Sequence, residues 1–116
     1  MGSIDATYYR DGAHQYLVWK SDGNDRGLPT VIFAQELNVK GTGFAPGSHP
    51  VELLRNDPHS WEGICIEGPW LVQRKDAIYL FYRYDPLSIM IVYLYLSFLF
   101  WRGYGYDLFT RNDSTS

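Results

Sequence analysis

The sequence has a single cysteine, Cys65, and three histidines among its 116 residues. One cysteine excludes an internal disulfide framework and a cysteine-rich zinc site. No pair of histidines has the H-x-x-H or H-E-x-x-H spacing of a metal motif. Because Cys65 stands in an apolar stretch, we predict that it is a buried, unreactive thiol. We therefore expect neither a metal ion nor another cofactor.

An excess of positive charge is also missing. Ten Lys and Arg residues stand against thirteen Asp and Glu residues, which leaves a net charge of -3. A nucleic-acid groove needs a basic face, so we do not expect a nucleic acid as a partner. Residues 1–5 contain neither the basic nor the apolar region of a secretory signal.

Aromatic residues are abundant, at 17% of the chain, with ten tyrosines and four tryptophans. Such a composition suits β-sheets and surfaces that stack on sugars. Short β-prone runs alternate with turn signals, and no helical spacing precedes residue 87. The sequence therefore predicts an all-β fold, in one domain or part of one, with strands at 7–10, 15–20, 30–37, 50–54, 65–67, 70–74 and 77–82.

Two turn signals matter most for the arrangement of these strands. Asp11-Gly12 predicts a hairpin between the first two strands. Gly68-Pro69 predicts a break between the strands at 65–67 and 70–74. Residues 5–19 and 67–82 also share one layout, which is an acid at a strand start, an apolar strand, a turn and a second strand. This faint repeat, offset by about sixty residues, suggests β-propeller blades.

Residues 86–101 form an uncharged apolar run, shorter than the roughly twenty residues that a membrane-spanning helix needs. Three interpretations stay open: a buried strand pair or core helix, a membrane anchor, or sequence foreign to the domain. Contact with a membrane is not the favoured one. A polar tail follows from residue 111. We therefore place a boundary after residue 82, with 83–116 as a divergent segment.

Two carboxylates head predicted strands, Asp5 and Glu67. Glu67 lies between Ile66 and Gly68-Pro69, and apolar surroundings disfavour the charged form of a carboxylate. A glycosidase uses an acid kept protonated near neutral pH to protonate the leaving oxygen. The alternatives are a strand-end glutamate pointing into water and an ordinary turn or capping aspartate. Glu62 is expected at the surface or in a loop.

Three tryptophans are candidates for a sugar-stacking surface: Trp19, Trp61 and Trp70. An indole ring can form the floor of a sugar site, but it is more often part of a core. The sequence leaves both interpretations open for each of them.

Seven segments follow one another along residues 2–82: GSIDATYYRDG (2–12), YLVWKSDGN (16–24), LPTVIFAQ (28–35), LLRND (53–57), WEG (61–63), EGPW (67–70) and YLFY (79–82). Each segment alone is a weak signal, but the ordered set is specific. Together the segments resemble glycoside hydrolase family 43.

The resemblance implies part of a five-bladed β-propeller, about one to two blades, from an extracellular inverting enzyme. Family members act on arabinose- and xylose-containing polysaccharides. Glu67 matches the family's general acid, and Asp5 matches the aspartate that modulates and orients that acid. Trp19 and Trp70 are the expected substrate-binding residues, and a pentose-containing oligo- or polysaccharide is the expected partner.

The family's general base has no counterpart in the sequence. Inversion needs a base to activate water opposite the acid, so we expect the isolated chain to be nearly inactive. Two alternatives remain: a non-catalytic module that binds glycans, and a membrane-associated or non-functional truncated product.

Overall fold

The computed structural model describes residues 2–75, 77–84 and 88–94. These residues form an all-β structure without an α-helix, as the sequence predicts. Its seven strands are β1 (Gly2–Asp11), β2 (His14–Asp22), β3 (Val31–Glu36), β4 (Val51–Arg55), β5 (Ile66–Arg74), β6 (Ala77–Tyr84) and β7 (Ser88–Leu94). One short 3-10 helix, Asn24–Arg26, lies between β2 and β3.

The strands form two antiparallel sheets, which we call sheet 1 and sheet 2. Sheet 1 has the order β1-β2-β3-β4, and sheet 2 has the order β5-β6-β7. The predicted hairpin joins β1 to β2, with Asp11 opposite His14 and Gly12 at a φ of 58°. Positive φ is accessible to glycine without steric cost, so Asp11-Gly12 suits this tight turn.

Two predicted strand boundaries are wrong. β1 begins at Gly2, before the predicted start at residue 7. Gly68-Pro69 does not end a strand, because β5 continues through it from Ile66 to Arg74. The ladder is irregular between Glu67 and Trp70, and such a bulge accommodates a proline that cannot donate a ladder hydrogen bond.

Part of the apolar C-terminal run is a strand. β7 pairs along the length of β6, from Ser88 opposite Tyr84 to Leu94 opposite Ile78. The rest of that run, residues 86–87 and 95–101, lies outside the described residues, as do the polar tail and Asp76. Among the described residues, no helix is long and apolar enough to cross a membrane.

The first strand of each sheet carries a bulge at a corresponding place. In β1 the register shifts between Ile4 and Thr7, and in β5 it shifts between Glu67 and Trp70. Asp5 and Gly68 both have positive φ, at 56° and 61°. The two strands therefore share a bulge, in which Asp5 corresponds to Gly68 and not to Glu67, the acid that the sequence layout paired with it.

One face of each sheet contributes to a common core, and β5 contacts β1, β2 and β3. Alternation along β2 buries Tyr16, Val18 and Lys20 and leaves the residues between them partly exposed, as the two-residue period of a strand requires. The apolar members of the core are Tyr9, Tyr16, Val18, Ile32, Ala34, Leu53 and Leu54 from the first part of the chain and Ile66, Leu71, Ile78, Leu80 and Tyr82 from the second.

Candidate functional site

The two bulges bring the candidate acids Asp5 and Glu67 to one place. The backbone N–H of Gly68 donates a hydrogen bond to Asp5 Oδ2 over 3.0 Å, although 63 residues separate them. Glu67 directly precedes Gly68. The bulges that carry the two predicted acids therefore lie side by side, although they belong to different sheets.

Glu67 lies beside cationic groups rather than in the apolar surroundings that its sequence neighbours suggested. Lys20 Nζ lies 3.6 Å from Glu67 Oε2, and Arg83 Nη1 lies 4.0 Å from Oε1. The Glu67 side chain is 38% exposed. Its carboxyl group is thus reachable from solvent and faces a cation on each side.

Lys20 is the residue of this site that the sequence analysis missed. Its side chain is 2% exposed, and its ammonium donates to Cys65 Sγ over 3.2 Å. Asp22 Oδ1 lies 3.3 Å away. The sequence does contain a signal that Lys20 is buried. Lys20 follows Tyr16 and Val18 at intervals of two residues, so all three lie on the same, buried face of β2.

Burial and the neighbouring groups together shift the pKa values of Lys20 and Cys65. Burial lowers the pKa of Lys20, but its contacts with Cys65 and Asp22 outweigh that effect and raise it overall. Burial raises the pKa of the Cys65 thiol, Lys20 opposes this, Glu67 adds to it, and the net shift is upward. At neutral pH the site therefore holds an ammonium beside a protonated thiol, and a protonated thiol is a poor nucleophile.

Trp70 lies on the same face of sheet 2 as Glu67. Directly opposite residues share a face, so Glu67 lies with Arg83 and Trp70 with Phe81. Phe81 and Arg83 are two residues apart in β6 and therefore share that face as well. The Trp70 indole is 61% exposed, and its ring centroid lies 6.0 Å from that of Phe81. An exposed aromatic surface thus extends along the strand from the acid.

Trp19 does not join this surface. It lies opposite Phe33 in sheet 1, and its neighbours Val18 and Lys20 point to the buried face. Its ring centroid is 5.8 Å from Phe33 and 6.0 Å from Phe44. We therefore assign Trp19 to an aromatic cluster on the face of sheet 1 opposite the one that carries Val18 and Lys20.

The two other candidates from the sequence also have structural partners. Trp61 packs edge-on against Tyr84. Glu62 lies in a turn, in agreement with the predicted loop, but it is not at the surface, since it is 2% exposed. It accepts hydrogen bonds from the Tyr82 hydroxyl over 2.8 Å and from Asp57 N–H over 3.2 Å. Buried polar groups need such partners. The bond from Tyr82 links the connection between β4 and β5, where Glu62 lies, to β6.

Residues 2–75, 77–84 and 88–94 contain no group of three or more His, Cys, Asp or Glu side chains able to hold a metal ion. Comparisons of the chain with protein-family models, curated proteins and solved structures found no match.

Proposed function

We propose that this chain is part of an inverting glycosidase that resembles glycoside hydrolase family 43 and acts outside the cell on arabinose- and xylose-containing polysaccharides. Glu67 is its general acid, and Asp5 orients and modulates that acid. In this proposal sheet 1 is one blade of a five-bladed propeller, and sheet 2 is most of the next.

The contact between the two bulges is the observation that carries the proposal. Asp5 accepts a hydrogen bond from the residue that follows Glu67, so the modulating and protonating groups belong to one site. Glu67 is partly exposed, which a group that donates a proton to a substrate requires. Sheets of consecutive antiparallel strands are the units from which propellers are built.

Azide permits a test of the acid that needs no general base. As an anionic nucleophile, azide forms a bond to the anomeric carbon while the bond from that carbon to the leaving oxygen breaks. Glu67 gives its proton to that oxygen and regains one from water. The products are a glycosyl azide of inverted configuration and an alcohol or phenol.

The experiment incubates the 116-residue chain with phenyl and dinitrophenyl glycosides of arabinofuranose and xylose in sodium azide. Phenol leaves poorly and needs the acid, whereas dinitrophenolate leaves without a proton. We expect Glu67→Gln to slow the phenyl reaction by about 10²- to 10⁴-fold and to leave the dinitrophenyl reaction nearly unchanged.

Glu52→Gln is the matched control, because Glu52 is a carboxylate paired with Arg55 on β4. It should behave as the wild type with both substrates. Absence of glycosyl azide from the wild-type chain, or equal rates for wild type and Glu67→Gln on the phenyl glycoside, would contradict the proposal.

A glycan-binding module without catalysis is the second candidate, and the exposed Trp70 favours it. A solvent-facing indole beside Phe81 offers a flat apolar surface of the kind on which sugar rings stack. In an NMR titration with arabino- and xylo-oligosaccharides, Trp70→Ala should abolish millimolar binding. Trp61→Ala, which removes an indole held against Tyr84, should retain it. No binding by the wild type at these concentrations would remove this candidate.

A further inference from the structure

Lys20 is a charged residue in a place where charge is costly. Its side chain is 2% exposed, and moving an ammonium group out of water costs several kcal/mol even after the protein relaxes. An apolar side chain of similar volume often serves stability as well as a buried ion pair does. Core packing alone therefore does not account for a lysine here.

The Lys20 ammonium has three neighbours. It donates a hydrogen bond to Cys65 and forms ion pairs with two carboxylates. The three neighbouring atoms are Cys65 Sγ at 3.2 Å, Asp22 Oδ1 at 3.3 Å and Glu67 Oε2 at 3.6 Å. Asp22 belongs to the same strand as Lys20, whereas Cys65 and Glu67 belong to the start of sheet 2. The ammonium thus joins the two sheets at the candidate acid.

The other groups near the Glu67 carboxyl hold it less firmly. Arg83 is 50% exposed and 4.0 Å away, and exposed ion pairs of this kind contribute little because water and side-chain entropy oppose them. The Cys65 thiol reaches Glu67 Oε2 over 3.8 Å, a long and weak contact. Lys20 is the buried cation with a fixed position.

We propose that Lys20 is a positioning residue whose buried ammonium fixes the orientation of the Glu67 carboxyl. Its catalytic consequence rests on the proposed function of Glu67. The geometric part, an ordered Glu67 side chain held by Lys20, is independent of any activity.

The test compares wild type, Lys20→Met and the control Lys40→Met, whose lysine is an exposed loop residue. Methionine keeps much of the length of lysine and removes the charge. NMR order parameters of the Glu67 side chain should be high in wild type and in Lys40→Met, and should fall to those of a freely rotating glutamate in Lys20→Met. Equal order in all three would overturn the proposal.

The azide reaction gives a second readout. A lysine that only stabilised the fold would not change the rate of this reaction in a folded variant. Lys20→Met should lower kcat on the phenyl glycoside by about 10- to 100-fold, the order expected for a misplaced catalytic group. It should leave KM and the dinitrophenyl reaction close to wild type. An unchanged phenyl rate in a folded Lys20→Met would overturn the positioning role while leaving the acid role of Glu67 intact.

A different set of results is expected if the proposed function is wrong but Lys20 does position Glu67. The wild type would then give no glycosyl azide, but the NMR comparison would still decide whether Lys20 orders Glu67. Should Lys20→Met not fold, the wild-type chain alone decides the geometry. Nuclear Overhauser contacts between the Lys20 Cε and Glu67 Cγ protons are expected, and their absence would overturn the proposal.

Discussion

At the scale of single residues, the burial of the Tyr9 hydroxyl should make the stability of the protein depend on pH. Tyr9 is 6% exposed, and its hydroxyl has no hydrogen-bond partner among the described residues. Burial, with a smaller contribution from the charge of Asp11, raises the pKa of Tyr9 from 10.0 to about 12. The folded state therefore keeps this proton at a pH where the unfolded state loses it.

Tyr9→Phe tests this. In the wild type, ionisation of Tyr9 should not lower the free energy of unfolding below pH 10, and it should lower this free energy as pH rises from 10 towards 12. The Tyr9 contribution to that slope is up to about 1.4 kcal/mol per pH unit. In Tyr9→Phe this contribution should vanish. At pH 7 the variant should equal the wild type or exceed it by about 1 kcal/mol, because it removes an unpaired buried hydroxyl.

Urea unfolding at several pH values between 7 and 11 measures both effects. Tyr8→Phe is the control, because the Tyr8 side chain is exposed and donates to Gln15. Identical slopes for Tyr9→Phe and wild type would contradict the assignment of the burial effect to Tyr9.

At the scale of elements, the bulge of β5 depends on one backbone conformation. Gly68 has a φ of 61°, and a Cβ added there would meet no atom within 4 Å. The cost of a substitution is therefore backbone strain rather than a clash. The same conformation in β1 is held by Asp5, and aspartate is among the residues most often found there after glycine.

Gly68→Ala should lower the free energy of unfolding by about 1–2 kcal/mol, the usual cost of the left-handed region for a residue with a Cβ. Gly2→Ala is the matched control at the start of β1. Gly2 has no positive φ, and its Cβ would lie 3.9 Å from Asp22 Cβ, so its effect should stay within about 0.5 kcal/mol. Chemical denaturation measures the free energy of unfolding of the two variants. An equal loss of stability in Gly68→Ala and Gly2→Ala would contradict a strained backbone at the bulge.

The elements that the sequence predicted correctly are those with local signals. Asp11-Gly12 is such a signal for the β1–β2 hairpin, and β-branched residues early in β3 are another. At Gly68-Pro69 the sequence predicts a break where the structure has a bulge, because glycine and proline are typical of both. The left-handed conformation of Asp5 has no sequence signal, since aspartate adopts it only where the surrounding strands require it.

The parts of the site that were missed depend on residues distant in the sequence. Lys20 stands at the predicted end of a strand, where a lysine normally reaches water, and its partner Cys65 is 45 residues away. Glu62 is buried because Tyr82, 20 residues later, donates to it. Neither partner can be identified by local pattern. The position of Glu67 near a strand start could be read directly, whereas Asp5 lies inside β1, at its bulge rather than at its start.

At the scale of the whole molecule, the two sheets stabilise each other through one core. Ile32 of β3 and Leu80 of β6 are both fully buried in the same apolar cluster. Since β5 contacts three strands of sheet 1, we expect the sheets to unfold together rather than in two steps.

Leu80→Ala should lower the free energy of unfolding by about 2–5 kcal/mol, the usual cost of a large-to-small change in a core. Because the core is shared, the variant should also speed amide hydrogen exchange in β2 and β3 of the other sheet. Val39→Ala, at a side chain that is 93% exposed, is the control with little effect. Faster exchange confined to sheet 2 would contradict a common core.

The order of the strands also has a consequence for how the chain folds. Every ladder in both sheets joins strands that are consecutive in the chain. Pairing can therefore proceed by successive hairpins. Their loops range from residues 12–13 between β1 and β2 to residues 37–50 between β3 and β4, and the entropic cost of closing a loop grows only slowly with its length. Proteins rich in contacts between near neighbours fold faster than those that pair distant strands. The slow event should then be the docking of two preformed meanders, when the Lys20 ammonium leaves water and the core closes.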